Sequence, residues 1–177
     1  MVIIAEGRRV AVRTDEPSAT YTHTDISRCE RPTTAEPGRA VRAVVELSRA
    51  LGGMHMRALL GAEFTPGPVG AVTVFEVPFG GPLGLGADAE CESELGRPLA
   101  AGLPRDFASA ALDGLAGDVG GQVLPAGLLR VDRAGFDEVG SSEMAFRLAG
   151  GLLRAVIHAS LHHADPLAAA RAAASGW

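Results

Sequence analysis

The sequence predicts an α+β fold, a two-layer sandwich in which a sheet of four or more strands carries two or three helices on one face. Three observations predict it. Residues 69–77 are rich in β-branched and aromatic side chains and are bounded by turn signals. Residues 139–161 read as a long capped helix with an apolar stripe. The second half of the chain runs strands, helix, strand, helix, which suits helices gathered on one side of a sheet.

Residues 2–5 and 10–13 are short apolar runs flanking Glu6, Gly7 and Arg8, the pattern of a hairpin. Residues 14–38 are rich in Thr, Pro, Asp and Glu and predict a loop or poorly ordered segment. In residues 39–51 arginine alternates with Val, Ala and Leu at helical spacing, so a helix stopped by Gly52 and Gly53 is expected. Residues 54–64 fit a strand or the end of that helix and are read as a strand. Residues 65–68, Thr-Pro-Gly-Pro, form a turn, and Pro78 closes the strand that follows.

Residues 79–86, FGGPLGLG, are a glycine-rich loop. A phosphate cradle would need a helix start directly behind the glycines. An alternating strand follows instead, so the loop reads as a hairpin connection. That strand, 87–95, sets Asp88, Glu90, Glu92 and Glu94 on one face. Four carboxylates in a row fit a site for a divalent cation or basic partner, or a solvated face that protects a sheet edge. Hard-cation sites usually draw oxygens from a folded loop, which favours the second. Residues 104–115 predict an amphipathic helix with Phe107, Ala111, Leu112 and Leu115 inward, ended by Gly117. Residues 122–131 predict a strand, and Pro125 places it near an edge or at a bulge.

The last long helix has a clear start. Ser141 or Ser142 can cap it, and Glu143 lies where the helix dipole favours a carboxylate. Met144, Leu148, Leu152, Ala155, Val156 and Ala159 recur at three- and four-residue spacing. Gly150 and Gly151 each cost about 1 kcal/mol relative to Ala. A helix carrying both needs another backbone in close approach, and it is expected to lie tightly on the sheet. Asp165-Pro166 stops it, leaving 166–177 as an Ala-rich tail with room for a short helix.

The same residues carry a resemblance. Residues 132–149, DRAGFDEVGSSEMAFRLA, resemble the closing loop and last helix of domain IV of translation elongation factor G, with Ser141, Ser142, Glu143 and Phe146 matching its Ser-Ser-Glu-(Leu/Met)-Ala-Phe signature in register. Residues 96–117 are similar to its Gly-Gly-Val-Ile-Pro segment and following helix, and residues 69–79 to its central strand. The resemblance covers the last two-thirds of the chain. It implies a left-handed β-α-β crossover, against the general preference. It also implies a division into an N-terminal extension or altered first part of the domain (1–53), the domain itself (54–165) and a tail (166–177).

In that family two tip loops reach the decoding site of the ribosome. One holds an aromatic followed by a histidine; Phe136 matches the aromatic and Asp137 takes the histidine's place. The other is glycine-rich with a basic residue, and residues 65–70, including Pro66 and Gly67, stand there without a charge. The resemblance therefore implies a ribosome or translation-factor partner. The departures at Asp137 and Pro66 set beside this the alternative of a module that kept the fold and lost the RNA contacts, with a protein partner or homo-oligomer instead.

Composition narrows the chemistry. The 177 residues suit one domain, and every basic residue is arginine. Without lysine there is no P-loop lysine for a nucleotide and no Schiff base. The net charge of −5 runs against general affinity for nucleic acid while leaving room for a local basic patch. Cys29 and Cys91 lack metal spacing and read as free thiols of a reducing compartment. The opening residues lack the apolar run of a signal peptide, and no stretch reads as the roughly 20 apolar residues of a membrane span. A soluble, cytoplasmic protein is expected. His158 and His162 share a helix face, with Asp165 the nearest third ligand, so they are either a metal pair or cations favoured at a helix C-terminus. Ser141 and Ser142 precede a Glu at a helix start and lack a G-x-S-x-G frame, so they read as caps. No catalytic residue, metal or cofactor is expected.

Overall fold

The computed structural model describes residues 2–5, 7–35, 38–51, 53–68, 72–80, 90–117 and 121–177. In them nine strands form one mixed, open sheet: β1 (Val2–Ala5), β2 (Arg8–Arg13), β3 (Asp25–Pro32), β4 (Val41–Leu51), β5 (Met54–Pro66), β6 (Val72–Phe79), β7 (Glu90–Cys91), β8 (Leu99–Ala101) and β9 (Gly127–Phe136). Three helices complete the fold: α1 (Arg105–Ala116), α2 (Glu143–Leu161) and α3 (Pro166–Ser175). The main strand order is β1-β2-β4-β5-β9-β6-β3, with β8 on the end of β9 and β7 beside β8. Every pairing is antiparallel except β6 with β9, whose strands are joined through α1.

Two segments differ from the expectations. Residues 39–51 are not a helix but β4, paired along its whole length with β5. Ala43, Val45 and Leu47 face one way, while Arg42, Val44, Glu46 and Ser48 face the other. Both faces of β4 are covered, so its apolar residues do not alternate cleanly and the run imitates a helix. The two glycines are not a helix stop; Gly53, with φ of 85°, lies in the tight β4–β5 turn. Residues 14–38 are not merely a loop, because β3 pairs along β6 at the sheet edge. Its side chains are mostly exposed, so it draws on the backbone ladder and its composition resembles a loop.

Smaller shifts follow. The strand expected over 122–131 is β9, ten residues starting after Pro125 and running on to Phe136. Pro78 does not end β6, which continues to Phe79. Of the strand expected over 87–95 only Glu90–Cys91 is extended in a ladder, residues 87–89 lying outside the described residues. The same holds for 69–71 and for 81–86 of the glycine-rich loop.

The main core fills the space between the sheet and the helices, with Phe64, Phe146, Leu60, Leu129 and Leu152 fully buried. Helix α2 crosses β4 and β5, with α1 on one flank and α3 on the other. Its close backbone contact is with α1, not with the sheet. A Cβ on Gly150 would stand 2.4 Å from the Ala111 carbonyl oxygen, and one on Gly114 would stand 2.1 Å from that of Arg147. By length and composition α2 does qualify as a membrane span, contrary to the sequence reading, and 67% of that stretch is buried inside this fold. Met144, expected on the buried stripe, is 52% exposed.

The opposite sheet face is not bare. A second, smaller cluster packs Ala19 of the short helical turn Pro17–Ala19 and Cys91, Leu99 and Ala101 of the β7–β8 pair with Val44 and Leu59 of β4 and β5.

Candidate binding cleft

One extra residue in β9 sets up the site. Ala62 pairs with Val131 and Gly61 with Arg133, leaving Asp132 as a bulge. Before it the odd residues Leu129 and Val131 face the helices; after it the even residues Ala134 and Phe136 do. Asp137 is thereby turned to the opposite face, beside Arg57 of β5.

Arg57 and Asp137 form the centre of a buried ionic cluster. Arg57 Nη1 donates to Asp137 Oδ2 at 3.3 Å, and Nη2 donates to Ser93 Oγ at 2.8 Å and to the Arg97 carbonyl at 2.7 Å. Glu46, fully buried on β4, stands 3.5 Å from Arg57 and accepts from Arg13, Ser93 and the Glu94 amide. Arg13 also pairs with Glu16. Buried charges persist only when paired and hydrogen-bonded, and each carboxylate here meets at least two donors.

Asp137 also shapes the loop behind it. Its Oδ1 accepts from the amides of Val139 and Gly140 at 3.0 and 3.1 Å, and Arg97 holds the carboxylate from the solvent side. Burial alone would raise its pKa; the Gly140 and Val139 amides and then Arg97 overcome that and hold it at about 2. Ser141 Oγ accepts from the Asp137 amide and donates to the Arg57 carbonyl at 2.6 Å, while the Arg57 amide donates to the Gly140 carbonyl at 2.9 Å. The 137–141 turn is therefore fastened to β5 by backbone and side chain together.

Beside this turn opens a cleft of about 1120 Å³. Arg9, Arg49, His55 and Arg97 supply its basic lining, and Met56, Leu95, Val139 and Met144 its apolar lining. Val139 is 88% exposed, and it and Met144 are two of the four large hydrophobic residues exposed among those described. Ser142 caps α2 at the same place, its Oγ accepting from the Ala145 amide at 3.2 Å.

The expected site residues do not come together. Phe136 is buried, edge-on to Phe107 at 6.2 Å, and Phe107 stacks on Phe146 at 4.9 Å. Both expected aromatics are thus core residues. Asp137 is buried and paired with Arg57 beneath it and Arg97 on the solvent side, so it presents no free carboxylate to an RNA backbone. Pro66 pairs with Gly127 at the start of β9, whereas Phe136 is its end. Ten strand residues span roughly 30 Å, so the Pro66–Gly67 turn and the Phe136–Asp137 loop lie at opposite ends of the sheet and share no tip. The turn that does meet the 137–142 loop is that of β4–β5.

Ser141 and Ser142 are occupied as described, and Glu143 is exposed in the first turn of α2. His158 and His162 have ring centroids 4.5 Å apart, and among the described residues no group of three ligands surrounds them. Burial, then His162 and Arg154, lowers the His158 pKa. Of the expected acidic face, Glu90 and Glu92 are exposed, Glu94 is 3.6 Å from Arg13, and Asp88 lies outside the described residues. Both cysteines are free.

Sequence reasoning missed Arg57, Glu46, Arg13 and Arg97, and also the contact of Ser48 Oγ with His55 Nε2 at 2.9 Å. Ser48 is buried, and Arg9 donates to its Oγ at 3.1 Å, so the hydroxyl is a link between strands rather than a nucleophile facing the cleft. Strand alternation through 41–51 and 54–66 would have placed Glu46, Ser48, His55 and Arg57 on one face. No protein-family model matches this sequence, and no curated protein matches it significantly.

Proposed function

We propose that this chain is a non-catalytic domain resembling domain IV of elongation factor G, which associates with the ribosome or a translation factor through the cleft end of its sheet. One juxtaposition supports the reading: the β4–β5 turn meets the 137–142 loop, and Arg9, Arg49, His55 and Arg97 surround them. The resemblance calls for a glycine-bearing tip loop with a basic residue beside the loop that follows the aromatic. The β4–β5 turn, with Gly53 between Arg49 and His55, answers to that better than the uncharged turn at Pro66 and Gly67. A chain of net charge −5 that gathers cations at one end is steered to a polyanion by that end.

Co-sedimentation with ribosomes over a salt series tests this. The chain is expected in the ribosome pellet at low salt and progressively in the supernatant as salt rises; its absence from the pellet at every salt concentration overturns the proposal. A second reading, a protein-interaction or oligomerisation module on the same fold, is favoured by the exposure of Val139 and Met144 at the cleft mouth. It expects no pelleting, and self-association or a protein complex in sedimentation.

A further inference from the structure

We propose that the same cleft binds a small phosphomonoester carried on an apolar or aromatic body, independently of any contact with the ribosome. A volume of about 1120 Å³ accommodates a molecule of that kind. Its lining is divided as an amphipathic anion requires, with Met56, Leu95, Val139 and Met144 for the body and arginines for the head. The charge there is not already spent. Among the described residues the single carboxylate in the lining, Asp137, is satisfied by Arg57 and Arg97. The guanidinium of Arg49 has no hydrogen bond or ion pair among the described residues, and Arg9 donates to the neutral hydroxyl of Ser48. Two cations without a counter-charge select a dianion over a carboxylate, and a phosphomonoester carries close to two negative charges at neutral pH. The capped start of α2 at Ser142 adds the positive end of a 19-residue helix to the same space.

Wild-type protein titrated with 1-naphthyl phosphate, inorganic phosphate and 1-naphthol, followed by calorimetry, separates head from body. Naphthyl phosphate is expected to bind one to one and at least about tenfold more tightly than either half. Arg49→Ala is expected to weaken it about tenfold and Met144→Ser to weaken it measurably. Arg171→Ala, on the exposed side of α3, leaves it unchanged. Both cleft variants alter partly exposed side chains and keep the fold, which far-ultraviolet circular dichroism checks. Equal binding of naphthyl phosphate to wild type and Arg49→Ala, or no binding of it at all, overturns the proposal. So does inorganic phosphate that binds as tightly as naphthyl phosphate, which would make the cleft a site for the phosphate alone.

Discussion

Arg57 and Asp137 lie 80 residues apart in sequence and are joined two ways, by a 3.3 Å ion pair and by Ser141 Oγ bridging the Arg57 carbonyl to the Asp137 amide, while the Arg57 amide also holds the Gly140 carbonyl of the same turn. That relationship fixes the loop in front of α2 to the central strand of the sheet. It explains how a turn bearing an 88% exposed valine can be held in one conformation. It also supports one wall of the cleft.

Removing the arginine leaves the buried Glu46 and Asp137 carboxylates short of a cation. Arg57→Leu is expected to destabilise the fold by about 3–5 kcal/mol, the usual result of breaking a buried pair from one side. Urea denaturation measures it. Combining Arg57→Leu with Asp137→Asn should cost clearly less than the sum of the two single changes. Strict additivity would show that the pair is not coupled.

Asp137 gives the stability a definite pH dependence. Its pKa is about 2 when folded and about 3.9 when unfolded. A carboxyl depressed in the folded state stabilises at pH values above its unfolded pKa, and that contribution fades as pH falls towards the folded value. The contribution at neutral pH is at most about 2–3 kcal/mol. Asp137→Asn should therefore be less stable than wild type at pH 6, and the gap should narrow between about pH 4 and pH 2. A gap that is constant across that range would contradict the assignment.

The paired glycines of α2 should respond in opposite ways. Gly150→Ala pushes a methyl group into the α1 backbone at 2.4 Å, and the overpacking should cost about 2–3 kcal/mol despite the better helix propensity of Ala. Gly151→Ala meets nothing closer than 3.9 Å and should be neutral or stabilising by up to about 1 kcal/mol. Thermal unfolding of the two variants separates them.

The serines of the signature also divide. Ser142→Ala removes the cap on Ala145 and should cost about 1 kcal/mol. Ser141→Ala removes the side-chain tie to β5 and the bond from the Asp137 amide, leaving only the backbone tie of Gly140 to Arg57, and hydrogen exchange should then show faster opening of the Val139 and Gly140 amides without loss of the global fold.

The sequence carried the periodic parts of this fold and lost those governed by tertiary context. Helix α2, its Ser142 cap and α1 were legible because apolar spacing and caps are local signals. Strand β4 was misread because Val44 is buried beneath β8 and Cys91, on the face where alternation expects polar residues. Strand β3 was missed because an exposed edge strand needs no apolar face. The candidate site depended on the bulge at Asp132, which reverses the facing of every later residue in β9 and leaves no mark in a two-residue period. Asp137 was singled out by resemblance, yet its role as an internal partner of Arg57 required the β5–β9 register. Pro66 and Gly67 were placed with the wrong loop, because the sequence does not say which turns share an end of a sheet.

The most direct test of the central claim is ribosome co-sedimentation of wild type beside a variant carrying Arg9→Glu and Arg49→Glu, at low and moderate salt, with a variant carrying Arg28→Glu and Arg171→Glu, both exposed and outside the cleft, as a charge-matched control. The account predicts that wild type and the control pellet at low salt and that the double variant stays in the supernatant. Equal pelleting of all three, or of none, would contradict the assignment of this sheet end as the ribosome-facing surface.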